Sequence, residues 1–557
     1  MWQKMLKKLR SLVVNKHRPR QGAEVKEVHY LSAELDENIR LLKQIFSDCS
    51  DVSFREFYIG TPARIKGLVI FVEGLVEKQM LNNNLLKSLM YDLPNLPVAE
   101  QINKDNAAKV IKERLMPFGE AAETADMIEM VNLILAGDAA FLIDGSGKAL
   151  MPCTKGWDKR SVEEPETETV VRGPREGFTE SLRTNTVLIR RRIKSTRLKM
   201  ENMKIGLLTK TDINIAWIEG IADNRVVQEV RDRLGRINTD SILESGYLEE
   251  FIEDAPFSLF PMVNYTERPD KVAAALLEGR VAILTDTTPM VLLAPVTFVE
   301  FLQSTEDYYL KYFYASFLRL LRIVTLNIAL LLPALYVAIV TYHQELLPTP
   351  LLISIAAARE GVPFPAFVEA LLMETTFEVL REAGVRLPRP VGQAVSIVGA
   401  LVIGEAAVTA GLVSPAMVIV VALTAIASFT IPSYSGSFAI RLMRFPIMAA
   451  AAVLGLFGIM AALLALLIHL CSLWSFGVPY VSPIAPTSWR DLKDVIVRVP
   501  WWKMFTRPRL IGYKEPDRQE NGLRPRPPKP GITKGDGSSQ GGGGGAGKPT
   551  GRRNGNG

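Results

Sequence analysis

The chain has 557 residues, 48% of them hydrophobic, with 65 Lys and Arg against 59 Asp and Glu. A formal net charge of +6, much of it after Arg507, is too small and too localised to support nucleic-acid binding. Three cysteines without CxxC spacing and four scattered histidines exclude a disulfide framework and give neither a histidine-ligated metal pattern nor a histidine triad.

Residues 1–30 are basic, but Met1 to Arg20 has no apolar core leading to a small-residue cleavage site, so it is not a secretory leader and the front of the chain is expected to face the cytosol. A short duplication follows. Leu68 to Met80 (LVIFVEGLVEKQM) and Ile213 to Val226 (INIAWIEGIADNRV) each run a β-rich strand into Glu-Gly and then a helical pattern. Ile134 to Gly145 (ILAGDAAFLIDG) and Leu276 to Thr287 (LLEGRVAILTDT) repeat a helix end, a glycine, a buried strand and an aspartate. Two related α/β subdomains are therefore expected, at 31–151 and 182–288, joined by a charged, Gly- and Pro-containing linker at 152–181. In the linker's wake, Arg190, Arg191, Arg192, Lys194, Arg197 and Lys199 read as a solvated or phosphate-facing surface, with membrane contact the second choice.

Val281 to Thr285 aligns with the first copy's strand and is assigned to the second subdomain, whose core is expected to close by Thr288. Residues 289–320 then form a connector, with Met290 to Leu302 along the membrane surface and Glu300 and Gln303 facing water. Residues 321–470 read as a transmembrane bundle with spans near 321–342, 391–411, 416–434 and 446–470. Between the first two spans, 346–382 reads as re-entrant or interfacial, and Glu369, Glu374, Glu378 and Glu382 as a solvated helix face or an acidic vestibule. The membrane-proximal segment 471–512 precedes a Gly-, Pro- and Lys/Arg-rich tail, 513–557, that cannot bury a core and is expected to be disordered. The expected fold class is thus an α/β front of two related subdomains, an all-α multi-span bundle and a disordered tail.

Glu405 is the one ionisable residue between Val391 and Gly411. A carboxylate at bilayer depth must face a partner, a cavity or water. Helical spacing puts it on one face with Ala394, Val398, Leu401 and Val408, so copies of this helix around an axis would stack an acidic ring beside an apolar one, as cation channels do. These five are the candidate pore-lining residues; an interhelical contact for Glu405 is the alternative. No GxxxxGK[ST], GxGxxG after a strand, GxSxG or HExxH occurs, so no catalytic centre, cofactor or metal is expected.

The strings VVRGPREGF (Val170 to Phe178), NTVLIRRRI (Asn185 to Ile193), SLFPMVNYTERPDKVAAALLEGRVAIL (Ser258 to Leu284), REGVPFPAFVEALLMETTFEVLREAGVRLPRPVGQ (Arg359 to Gln393) and ASFTIPSY (Ala427 to Tyr434) resemble the A-subunit family of bacterial spore germinant receptors, the GerA family. The resemblance implies residence among the lipids of the spore inner membrane and assembly with a transporter-like B subunit and a lipoprotein C subunit. It also implies a homo-oligomer that passes monovalent cations when nutrient is sensed. A SpoVAF-like signal-amplifying channel and a secondary transporter are the alternatives.

Overall fold

The computed structural model describes residues 30–59, 65–90, 106–114, 121–156, 163–386, 404–511 and 514–525, apart from residues 88, 166 and 521. The expected basic segment before residue 30, most of the second expected span and the tail apart from 514–520 and 522–525 lie outside the described residues.

Two α/β units fill the first half. In the first, α1 (Leu35–Ile45) leads into β1 (Val52–Ile59) and β2 (Ile65–Val72), then a π-helical stretch Met80–Leu86, α2 (Ala107–Arg114), β3 (Ala121–Thr124), α3 (Met127–Leu135), β4 (Ala140–Ile143) and β5 (Ala149–Pro152). The second repeats that succession with α4 (Leu182–Arg192), β6 (Leu198–Ile205), β7 (Thr211–Ile218), α5 (Asn224–Arg236), α6 (Ser245–Ile252), β8 (Asn264–Thr266), α7 (Pro269–Glu278), β9 (Val281–Thr285) and β10 (Val291–Ala294). The strand orders match: β1-β2-β4-β5-β3 in one sheet and β6-β7-β9-β10-β8 in the other. Along β2, Leu68, Ile70 and Val72 face α1 and α3, while Val69 and Phe71 face the opposite layer, the period-two alternation of a strand covered on both sides.

The duplicated strings build equivalent parts. Gly74 and Gly220 end β2 and β7 at φ +83° and +79°, where a side chain would be strained. Asp144 and Asp286 follow β4 and β9, and each carboxylate accepts the first backbone N–H of its unit's leading helix, from Leu35 at 3.3 Å and Leu182 at 3.0 Å. That satisfies a donor the helix itself leaves open.

Several expected boundaries move. The second sheet extends past Thr288, because β10 sits between β9 and β8: Leu292 is in register with Ile283 on one side and Tyr265 on the other. Val291 to Ala294 is therefore a buried strand and not a membrane-surface connector; a four-residue apolar run reads the same in either setting. Glu300 does not face water but pairs with Arg280 and accepts the Thr297 N–H at 2.9 Å, and Gln303 donates to the Asp494 carbonyl at 2.7 Å. Nor is the latter part of the expected linker free: Glu168 pairs with Lys271 at 2.7 Å, and its carbonyl accepts from Arg268 at 3.0 Å.

The basic cluster is a solvated face only at Lys194 and Arg197, which are exposed. Arg190 is fully buried where the units meet, holding Asp51 with two bonds of 2.8 Å, and Lys199 is buried beside it, donating to the Ser47 carbonyl at 2.8 Å. Backbone bonds cross the same seam, from Ser50 N to Met200 O at 2.9 Å and from Met200 N to Asp48 O at 2.8 Å. Arg191 and Arg192 reach Glu176, and Arg197 reaches Glu515. Sequence spacing shows charge but not which helix face a second domain covers.

The second half is helical: α8 (Tyr312–Tyr342), α9 (Thr349–Arg359), α10 (Ala366–Arg386), α11 (Gly404–Thr409), α12 (Pro415–Phe429) and α13 (Tyr434–Ser472). The first expected span starts earlier than 321, at Tyr312, and the third stops at Phe429. The expected fourth span, 446–470, is not one rod. Gly455 breaks α13 at φ 61°, ψ −139°, a conformation open essentially to glycine alone. Residues 434–454 and 456–472 form a hairpin. Gly436 lies against Phe301 beside the second unit, Gly455 lies against Tyr342 and His343 at the far end of α8, and His469 is back at Ser258 of the second unit. The Tyr342 hydroxyl donates to the Ala452 and Val453 carbonyls at 2.8 and 3.1 Å, and His343 Nε2 accepts the Leu456 N–H at 3.3 Å, so α8 caps both arms of the turn. Gly455→Ala is expected to cost about 1–3 kcal/mol from backbone strain, with the new Cβ 2.9 Å from His343 Nε2. A thermal melt of the detergent-solubilised chain checks this, and an unchanged midpoint refutes the turn.

Candidate functional site

Of the five candidate pore residues, Ala394, Val398 and Leu401 lie outside the described residues. Glu405 and Val408 stand one turn apart on α11: Glu405 is exposed, and Val408 packs against the helical core. The structure therefore places the carboxylate of Glu405 at a surface of the single chain, with the Thr409 hydroxyl donating to its backbone carbonyl at 2.8 Å.

The acidic helix differs from its expected form. On α10, Glu369 and Glu374 are buried. Glu374 meets Arg444 at 2.9 Å, and Glu378 meets Arg444 at 3.0 Å and Arg441 at 3.5 Å, both arginines on α13. Arg381 completes the group by donating to the Ser428 hydroxyl of α12 at 2.7 Å. Glu369 accepts from the Ser414 N–H at 2.5 Å and faces Arg359 at 3.7 Å. Among these four acids only Glu382 keeps to the solvated reading, exposed and paired with Arg386. The missed signal was on the partner: Arg441 and Arg444 stand three apart in an otherwise apolar stretch, where charges imply paired acids.

A second buried cluster joins the α/β pair to the helices. Asp307 precedes α8 by five residues, and its Oδ2 accepts from Arg319 Nε at 3.0 Å and Arg322 Nη1 at 2.7 Å. Arg319 also donates to Asp494 Oδ1 at 2.8 Å, and Tyr308 donates to Asp494 Oδ2 at 2.9 Å. Arg498 bonds the Leu310 carbonyl at 3.1 Å, and its N–H bonds the Ser316 hydroxyl at 3.1 Å. Burial raises the Asp494 carboxyl above its usual range against the pull of Arg319, and raises the Tyr308 phenol well above 10. Three stretches are thereby locked together: the exit from the second unit, the first turns of α8 and the strap that follows the hairpin.

That strap returns to the second unit. The short pair β11 (Trp474–Ser475) and β12 (Val478–Pro479) turns through Phe476, whose ring is buried in the core that faces α5 and α6. The Ser475 hydroxyl donates to the Met262 carbonyl at 2.7 Å and accepts the Val296 N–H at 3.0 Å, and Phe476 N–H bonds Asp254 at 2.8 Å. Arg233 lies 4.3 Å from the Phe476 ring centroid. Among the described residues no group of three or more His, Cys, Asp or Glu is arranged to hold a metal.

The family model "Bacillus/Clostridium GerA spore germination protein" matches residues 40–510, from α1 through the strap. The chain belongs to the GerA family. Among relatives of this GerA chain, Spore germination protein KA of Bacillus subtilis is 49% identical over 497 residues, covering 89% of this chain and 90% of that one. The uncharacterised membrane protein YfkQ of the same organism is 49% identical over 478 residues, covering 86% and 91%. Spore germination protein GerLA of Bacillus cereus is 40% identical, covering 87% and 97%. A crystal structure of the N-terminal domain of the A subunit of the Bacillus megaterium spore germinant receptor GerK3 aligns at 37% identity with a TM-score of 0.39, over 48% of this chain and 97% of that one.

Proposed function

We propose that this GerA protein is the A subunit of a nutrient germinant receptor in the spore inner membrane. Copies of it assemble around a path for monovalent cations, and a transporter-like B subunit and a lipoprotein C subunit complete the receptor. The observation that carries this reading is the junction of Asp307, Arg319, Arg322 and Asp494, which ties a welded pair of α/β units to the root of a helix long and apolar enough to cross a bilayer. A displacement of the α/β pair cannot be absorbed there without exposing paired buried charges, so it passes to α8. Two apolar segments support membrane residence, the helix Tyr312–Tyr342 and the hairpin within Tyr434–Ser472, with mean hydropathy of 2.4 and 2.7 in their most apolar stretches. Both ends of the helical half sit against the second α/β unit, through Tyr309 with Asp270 and His469 with Ser258, which favours an even number of crossings; in this reading the α/β pair faces the spore core.

Cation flux from vesicles carrying the purified chain with its B and C partners tests this. Leu401→Ala is expected to raise the resting leak severalfold by widening an apolar constriction. Glu405→Gln is expected to lower cation over anion permeability while preserving assembly. Wild-type leak and unchanged reversal potentials in both variants would overturn the pore assignment, and no nutrient-dependent flux in the wild type would overturn the channel reading.

A further inference from the structure

The strap and the root of α8 together expose a surface whose chemistry is not that of a water-facing protein. Strap residues 494–498 run beside the first turns of α8, fixed by the bonds of Asp494 to Arg319 and of Arg498 to Ser316. Phe313, Phe317, Ile496, Val497 and Trp501 nevertheless remain 45–66% exposed. Phe313 and Phe317 are four apart on one helix face, which continues upward through the exposed Val324 into the apolar stretch. Lys311 and Lys503, two positions from Phe313 and Trp501, and Arg490, six before Ile496, are exposed.

Length supplies the second constraint. The 31 residues of α8 rise about 46 Å, against roughly 30 Å of hydrocarbon and 40–45 Å of bilayer with its headgroups. The lowest turns of α8 therefore lie at headgroup depth when its apolar stretch fills the core. Aromatic rings and basic side chains are the residue types that settle in that layer.

We propose that the first two turns of α8 and strap residues 494–503 form an interfacial collar. Phe313, Phe317, Ile496, Val497 and Trp501 seat in the headgroup layer of an anionic leaflet, with Lys311, Arg490 and Lys503 on lipid phosphate. The collar rests on the reading that α8 and α13 cross a bilayer. It makes the strap a sensor plate: whatever moves the α/β units moves groups anchored in lipid.

The test uses the full chain in vesicles of phosphatidylglycerol and phosphatidylethanolamine. Exposed Cys153 and Cys471 are changed to serine, and Ile496→Cys carries a bimane label; Cys49 is buried and stays. The expected result is severalfold stronger quenching by a nitroxide on the lipid headgroup than by aqueous iodide. Stronger iodide quenching, in protein that stays with the vesicles after alkaline washing, overturns the collar while leaving the membrane reading intact. Protection from both quenchers, with label-to-label excimers from a pyrene on the same cysteine, overturns it in favour of a second copy covering the patch. Release of the protein by alkaline washing removes both readings together.

Discussion

Arg190→Ala is expected to destabilise the α/β pair by about 3–5 kcal/mol, the cost of removing one partner of a buried, hydrogen-bonded ion pair. For a unit of this size that lowers the melting midpoint by roughly 6–20 °C. The guanidinium is wholly buried, takes both oxygens of Asp51 at 2.8 Å, and donates at 3.1 Å to the Ser195 and Leu198 carbonyls. Burial alone would lower its pKa, but the Asp51 charge and bonds leave it above the usual value. Truncation strands the Asp51 carboxylate where water does not reach, while the Ser195 and Leu198 carbonyls keep only the Leu198 N–H and the Cys49 thiol. Asp51→Leu with Arg190→Met is expected to recover part of the loss, since the stranded charge goes while the two carbonyls still lose the guanidinium's bonds. Calorimetry of the purified chain reads both numbers. A single-variant loss below about 1 kcal/mol, the range of exposed pairs, would mean the seam is wet.

Phe476→Ala is expected to cost a similar amount, about 3–5 kcal/mol for an emptied aromatic site, with the Arg233 ring contact adding about 0.5–2 kcal/mol. The substitution keeps a side chain at φ 46°, so backbone strain does not change enough to mask the loss. The visible consequence is local: residues 473–511 should become cleavable by protease while the α/β pair stays folded, and amide exchange should quicken in β9 and β10, which line the emptied site. Protection equal to wild type would show that Ser475 and the junction suffice to hold the strap.

What could be read from the chain follows the range of the interaction. The two sheets were legible because their signals are local: a β-rich run, Glu-Gly at Glu73 and Glu219, then glycine, strand and aspartate ending at Asp144 and Asp286. The same comparison stopped short of β10, since Val291 to Ala294, although bracketed by Pro289 and Pro295, is a short apolar run that resembles lipid-facing material. The acidic helix misled because solvated and paired faces share one period. Glu378 and Arg444 are 66 positions apart, and nothing local to either names the other. Gly455 was invisible for the opposite reason: in an apolar helix glycine is common, and only its φ and its contact with His343 set it apart from Gly458. Of the candidate site, Glu405 and Val408 fall on one helix but in different surroundings, one exposed and one against the core, and the buried junction at Asp307 was not legible, because its partners come from three separated stretches.

The position of Phe476 sets a timetable for biosynthesis. The second sheet is complete in strands at Ala294, yet one ring of its core arrives 182 residues later, after the whole helical half has been translated. At about 5–20 residues per second this leaves the sheet unsealed for roughly ten to forty seconds. Through that interval the emerging helices must reach the insertion machinery while a hydrophobic slot stands open beside them, and the Asp494 junction at the root of α8 can form only later still.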